Sequence, residues 1–213
     1  MFVKGKGLLA LAAIALIGSG AHAQVVASSG VTATVPTDVR PGAQEDNSTA
    51  WLMIESALAP GAAFTVDTAT TGLFDEPSDL AAPASVTSSA PVQSFLLWSD
   101  RLGATGSTAY VGYLEFANPI VGVAVRSATL DLTDVFGAPG VTYPGGVVGR
   151  GSELSPTVES FQISADRKRL DFQFRTFNVV DEIRIFATVP EPVSAFVLLV
   201  GLGAVVARRF RRS

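Results

Sequence analysis

A chain of 213 residues with no cysteine and a single histidine, His22, cannot assemble a Ser-His-Asp or Cys-His nucleophile, an iron–sulfur cluster or the usual zinc, copper and haem sites. Its net charge of −4 is unevenly spread: residues 24–188 hold 9 Lys and Arg against 18 Asp and Glu, a net of −9, while other basic residues gather at the two ends. So acidic a middle lacks the basic face that neutralises phosphates, and nucleic acid is excluded as a partner.

The first 23 residues have the layout of a secretory signal. Lys4 and Lys6 form a positive start, residues 8–17 (LLALAAIALI) an unbroken apolar stretch, and Ala21, His22 and Ala23 a small-x-small site before Gln24. A ten-residue apolar stretch spans roughly 15 Å as a helix, half of a hydrocarbon core of about 30 Å. The expectation is export through the Sec machinery and cleavage by signal peptidase between Ala23 and Gln24. Residues 24–188 then make one domain of a size that buries a real core.

Strand patterns dominate that domain. Residues 51–55 and 64–67 read as early strands, and 75–91, rich in Pro, Ser and Ala, as a loop. Further strands are expected over 95–100, 110–116 and 120–126, with a loop at 102–107 and a tight turn at Asn118 and Pro119. A short helical turn over 130–136 would be closed by Gly137, and 137–151, with its six glycines and two prolines, reads as another loop. In 170–176, Leu170, Phe172, Phe174 and Thr176 alternate with Asp171, Gln173 and Arg175. This strand is expected to pair with 159–164 as a hairpin turned at Ala165, Asp166, Arg167 and Lys168. Residues 181–186 would add the third strand of a meander. The fold class expected is all-β: an antiparallel β-sandwich of jelly-roll type.

Chemistry-bearing candidates are few. Asp131 and Asp134 could serve as a carboxylate pair for glycoside hydrolysis or as oxygen ligands for calcium. The D-x-D-x-D-G ligand ladder is missing, however, so a solvated acidic turn is the better reading, and neither a metal nor a cofactor is expected. Trp51, Trp98, Tyr110 and Tyr113 could form a platform for sugar rings, but both tryptophans stand in apolar runs, which favours the core. The polar segment 38–46, with Asp38, Arg40, Glu45 and Asp46, reads as a solvated loop. Asn47, Ser48 and Thr49 match a glycosylation sequon, a pattern short enough to recur by chance.

The end of the chain is the most telling part. After Val189 come Pro190, Glu191 and Pro192, which fix φ and remove two backbone donors, giving an extended tether over 189–192. Residues 193–207 are uncharged and would span about 22 Å as a helix, short for a bilayer unless neighbours help. Arg208, Arg209, Arg211 and Arg212 supply that help by snorkelling to the interface. Pulling four arginines through the membrane would cost on the order of 10 kcal/mol. They should therefore stay cytoplasmic as the tail 208–213, with 193–207 a transmembrane helix and the domain on the periplasmic side. Gly201 and Gly203 follow no strand and read as small residues of a membrane helix, not as a phosphate loop.

Pro190-Glu191-Pro192, the apolar run with its Gly-Leu-Gly and the arginine-rich end together resemble the PEP-CTERM sorting signal of Gram-negative bacteria. The resemblance covers about 25 residues, with all three parts in order. It implies transient anchoring in the inner membrane, processing by exosortase, and delivery to the cell surface or to extracellular polysaccharide. "ISADRKRLDFQF" and "VVDEIRIFATVPEP" also look like a recurring ectodomain type among such proteins, which carries no activity with it. The domain itself is expected to be structural or adhesive and not an enzyme. The alternatives are a carbohydrate-binding module and, behind it, a hydrolase acting through carboxylates alone.

Overall fold

The computed structural model describes residues 23–190, apart from 104, 148 and 178; the signal segment before residue 23 and the motif and tail from Glu191 onward lie outside the described residues. Among the described residues no helix is long and apolar enough to cross a membrane. The described chain is built mostly from strands: β1 (Val25–Ser29), β2 (Val31–Ala33), β3 (Ala50–Leu58), β4 (Ala63–Val66), β5 (Gly72–Phe74), β6 (Ala84–Thr87), β7 (Val92–Ser99), β8 (Thr108–Phe116), β9 (Ile120–Ala124), β10 (Ser160–Ile163), β11 (Arg169–Thr176) and β12 (Asp181–Thr188). One short helix, α1 (Ser127–Thr133), runs into a 3₁₀ turn, Asp134–Phe136.

Two five-stranded sheets carry the fold. The first has the order β1-β8-β11-β10-β5, the second β2-β3-β7-β12-β9, and β4 and β6 form a separate ribbon. Pairing is antiparallel except between β2 and β3. The inner faces share one core. Leu114, Phe116, Phe161, Ile163, Leu170, Phe172 and Phe174 come from the first sheet and meet Leu52, Phe95, Leu97, Val123, Ile183 and Ile185 of the second.

The hairpin of β10 and β11 is the one expected. Phe161 pairs with Phe172 and Ile163 with Leu170, and in β11 the buried Leu170, Phe172 and Phe174 alternate with more exposed residues. Asp166 pins the turn, its Oδ1 accepting hydrogen bonds from Ser164 Oγ (2.6 Å) and the Lys168 amide (3.0 Å), while Arg167 takes a φ of 60°.

The meander is corrected at its third strand. β12 does not pair with β11; it lies in the second sheet between β7 and β9. The reason is that both its faces are covered. Ile183, Ile185 and Ala187 enter the shared core, Phe186 packs in a second apolar cluster with Phe64, Val66 and Leu58, and Glu182 and Arg184 are fully buried. A strand covered on both sides belongs in the middle of a sheet.

Asn118 and Pro119 likewise carry the chain from β8 in one sheet to β9 in the other instead of closing a hairpin. The stretch 75–91 is more ordered than a loop: it holds a 3₁₀ turn, Pro77–Asp79, and β6. Gly137 follows the helical segment as expected but has a φ of −63°, so its role is not a left-handed cap. A Cβ there would fall 2.4 Å from the Tyr143 ring; glycine is required for close approach.

The outer face of the second sheet is roofed. Met53, Leu96 and Trp98 pack with Val39, Val180 and the half-buried Ala138, Val141 and Tyr143 from three loops, and the β4–β6 ribbon covers Phe186. Helix α1 completes the roof, and Asp67, just past β4, secures its start. Oδ2 of Asp67 accepts the amides of Val125 (2.8 Å) and Arg126 (2.9 Å), and Oδ1 accepts from Thr129 Oγ1 (2.8 Å) and Arg126 Nη1 (3.1 Å).

Both ends of the described chain meet at one pole. Ala23 and Val189 belong to the same core cluster, Gln24 O accepts the Ala117 amide at 2.9 Å, and the amides of Thr188 and Val189 donate to Pro119 O (3.0 Å) and Pro91 O (2.8 Å).

Candidate functional site

The densest polar chemistry lies beneath the roof. Alternation along β12 turns Arg184 and Glu182 away from the shared core, and each finds its opposite charge there. Arg184 forks onto Glu55 of β3, with Nε to Oε2 at 2.8 Å and Nη2 to Oε1 at 2.9 Å. Its Nη1 reaches Leu130 O (3.1 Å), Thr133 Oγ1 (2.8 Å) and Asp134 Oδ1 (3.0 Å) at the end of α1. Ser94 Oγ donates to Glu55 Oε2 at 2.6 Å, and the Tyr143 ring lies 5.2 Å from the guanidinium carbon. One arginine thus ties β3 to the roofing helix.

Arg150, from the glycine-rich loop, is equally buried. Its Nη2 donates to Glu182 Oε2 at 2.6 Å, and Nη1 to Asp131 Oδ1 (2.7 Å) and Asp134 Oδ2 (2.8 Å). Burial pushes the Glu182 carboxyl up to about 7, with Arg150 pulling the other way. Among the described residues Glu182 Oε1 and the Trp98 indole N–H have no hydrogen-bond partner, and these two residues face each other across β12 and β7.

The expected candidates Asp131 and Asp134 are therefore brought together, but around a guanidinium. All four of their oxygens accept hydrogen bonds: Asp131 Oδ2 from the Gly146 amide (3.1 Å), Asp134 Oδ1 from both arginines, and the remaining two from Arg150 Nη1. Two carboxylates engaged in this way anchor a loop; a hydrolytic pair would need oxygens free for water and substrate.

A second group, which sequence reasoning missed, stands at the pole opposite Val189. Carboxylate oxygens of Glu153, Glu159 and Asp181 lie within 4.8 Å of one another, with Glu159 and Asp181 buried and Glu153 exposed. Glu159 Oε2 accepts from the Glu153 amide (2.6 Å) and Ser152 Oγ (3.0 Å), and Asp181 Oδ2 from Thr176 Oγ1 (2.5 Å). Burial pushes Asp181 up to about 8, reinforced by Glu159, Glu153 and Glu182, and burial raises Glu159 as well. Such a trio can face one cation or keep a proton between its members. Asp181 and Glu182 are adjacent in the sequence and serve opposite faces of β12, as successive strand residues do, with Arg150 meeting Glu182 and Glu153 lying by Asp181. The doublet Asp181-Glu182 at the head of an otherwise apolar strand was the signal available.

The aromatic candidates do not converge on a surface. Trp98 and Tyr110 are core residues, Trp51 is half-buried and donates its indole N–H to Gln44 O at 2.9 Å, and Tyr113 lies under the Arg169 guanidinium at 3.9 Å. Segment 38–46 is fastened as well as solvated: Asp100 Oδ2 accepts the Gly42 amide at 2.9 Å, and Tyr110 Oη donates to Asp46 O. Asn47 of the sequon accepts from the Leu102 amide (3.1 Å) and Thr108 Oγ1 (3.2 Å).

Of the processing residues, Ala23 and Val189 are buried, Gln24 and Pro190 are exposed, and Ala21, Glu191, Pro192 and the arginines Arg208, Arg209, Arg211 and Arg212 lie outside the described residues. No family model, curated protein or solved structure matches the chain.

Proposed function

We propose that the chain is an exported surface or matrix protein, held briefly in the inner membrane and processed by exosortase through its C-terminal motif. The observation that carries this reading is the sequence from Pro190 onward: a diproline stem, an uncharged run and an arginine cluster, following with no linker on the last core residue, Val189. The ectodomain is a jelly-roll-like sandwich with a structural or adhesive role. Its composition supports that role, since residues 24–188 contain neither His nor Cys and the fully buried Arg150 and Arg184 are spent on fastening its own strands, helix and loop. Replacing Pro190, Glu191 and Pro192 together by alanine is expected to leave the chain full-length in the inner-membrane fraction, while the wild type reaches the surface or medium in shortened form. Equal release of both would overturn the proposal.

Carbohydrate binding is the second reading. On the outer face of the first sheet Gln162, Gln173 and Asp171 line a shallow depression of about 200 Å³ together with the exposed Leu73 and Val111. Amide and carboxylate groups beside exposed apolar ones suit sugar hydroxyls and ring faces. The folded domain is expected to be retained on the cell's own extracellular polysaccharide, and Gln173→Lys to reduce that retention. Retention no greater than that of heat-unfolded protein would discard this reading.

A further inference from the structure

We infer that the chain associates with a second copy of itself through the side of the sandwich where β1 and β2 part. The inference stands apart from how the chain is sorted. The two strands leave Gly30 for different sheets, β1 lying against β8 and β2 against β3, and among the described residues each is the edge of its sheet. An apolar cleft of about 580 Å³ opens between them, lined by Val25 and Ser28 of β1, Ala33 and Val35 at and beyond the end of β2, and Leu52 and Ile54 of β3. Ile54 shares its face with Leu52 and pairs with the core residue Phe95, which puts it on the inner face of its sheet, yet it is 53% exposed. The shared core therefore reaches the surface at this cleft. Val35 beside it is 82% exposed, and Val26, at a bulge in β1, 58%.

Charge selects the occupant. With a net charge of −9 over residues 24–188, two copies of the domain repel each other over most of their surface. Residues 24–37 contain no Lys, Arg, Asp or Glu, and no residue lining the cleft is charged. On this side two acidic domains meet without setting carboxylate against carboxylate, and a strongly charged partner finds nothing to pair with. The edges point the same way. β9 is covered by residues 67–68, with the Val123 amide donating to Thr68 O (2.9 Å) and the Asp67 amide to Val123 O (2.9 Å), and β5 is only three residues long. Along Val25–Ser29, β1 carries no charge and no proline to discourage another strand.

The patch is also self-complementary. The projecting Val35 stands at the rim of the cleft, so a two-fold axis seats the Val35 of each copy against the cleft of the other and covers both exposed Ile54 side chains at once.

Sedimentation of the full chain in density-matched mild detergent, over a range of protein concentrations, is the test. A reversible dimer is expected. Val35→Asp, which places a carboxylate against its copy, should weaken that dimer by about tenfold or more. Leu132→Asp, at a position 64% exposed on α1, should leave it unchanged. Because Val35 is so exposed, its variant should melt with the wild type, which separates lost association from lost folding. Hydrogen exchange is the independent arm: amides of Val25–Ser29 should be better protected at high than at low protein concentration, and equal protection would overturn the inference. So would a monomer at every concentration, or a dimer that Val35→Asp leaves intact. A host polypeptide that accompanies the wild type but not Val35→Asp, with no dimer formed, would overturn it in favour of a foreign partner.

Discussion

Replacing Arg184 by methionine is expected to lower the unfolding free energy by about 3–5 kcal/mol, the cost of leaving a buried charge without its partner. Methionine fills much of the same space, so the loss is electrostatic. Glu55 Oε1 loses its donor and Oε2 keeps only Ser94 Oγ, while Glu55 itself stays 7% exposed, and Leu130 O, Thr133 and Asp134 lose their link to the sheet. For a domain of this size the melting temperature should fall by roughly 10 °C, measured by calorimetry or circular dichroism at neutral pH. Arg184→Lys should recover only part of the loss, because one ammonium cannot reproduce the fork on Glu55 and the contacts to α1 together. The double variant with Glu55→Gln should be more stable than Arg184→Met alone, since no bare carboxylate then remains. A single variant within about 0.5 kcal/mol of the wild type would show that the pair does not hold the roof.

Asp181→Asn should act in the opposite direction, stabilising the domain by about 2–4 kcal/mol at pH 8. The folded-state carboxyl is pushed up to about 8, first by burial and then by Glu159, Glu153 and Glu182, with the Thr176 hydroxyl pulling the other way. Unfolded, it titrates near 4. Between those limits the folded chain binds a proton that the unfolded chain has released, so wild-type stability falls as pH rises from about 4 to 8. Asparagine carries no charge, and it keeps a carbonyl oxygen for Thr176 and an N–H₂ where the protonated acid has its O–H. The gain should therefore be largest at pH 8 and should vanish near pH 4. Urea denaturation of both proteins across that range is the measurement, and a variant less stable than wild type at pH 8 would mean that Asp181 is held as an anion by its surroundings. Glu182, pushed up to about 7, adds a slope of the same sign below neutrality.

What could be read from the sequence was what is decided locally. β10 and β11 were legible because alternation and turn chemistry sit within 20 residues of one another, and Trp98 and Tyr110 were legible as core through their apolar neighbours. The place of β12 was not. Its alternating Glu182 and Arg184 look solvent-facing until Glu55, 129 positions from Arg184, and Arg150, 32 positions from Glu182, are brought against them. The charges that suggested an outer strand are what allow a roof to close over it. Asp131 and Asp134 were picked out as a pair, but their arginine lay hidden in a loop whose glycines drew the eye. The start of α1 carried no warning either, because Arg126 is a poor cap and the carboxylate that serves comes from Asp67, 59 positions away just past β4.

The last of the described strands, β12, is also a middle one. Ribosomal synthesis delivers β7 and β9 with open hydrogen-bonding edges, and neither is satisfied until residues 181–188 arrive. The second sheet can therefore close only once residues 181–188 have been released, and a product truncated before them would leave the facing edges of β7 and β9 unpaired. Completion of the core thus waits on β12: a chain that lacks it cannot bury Val189.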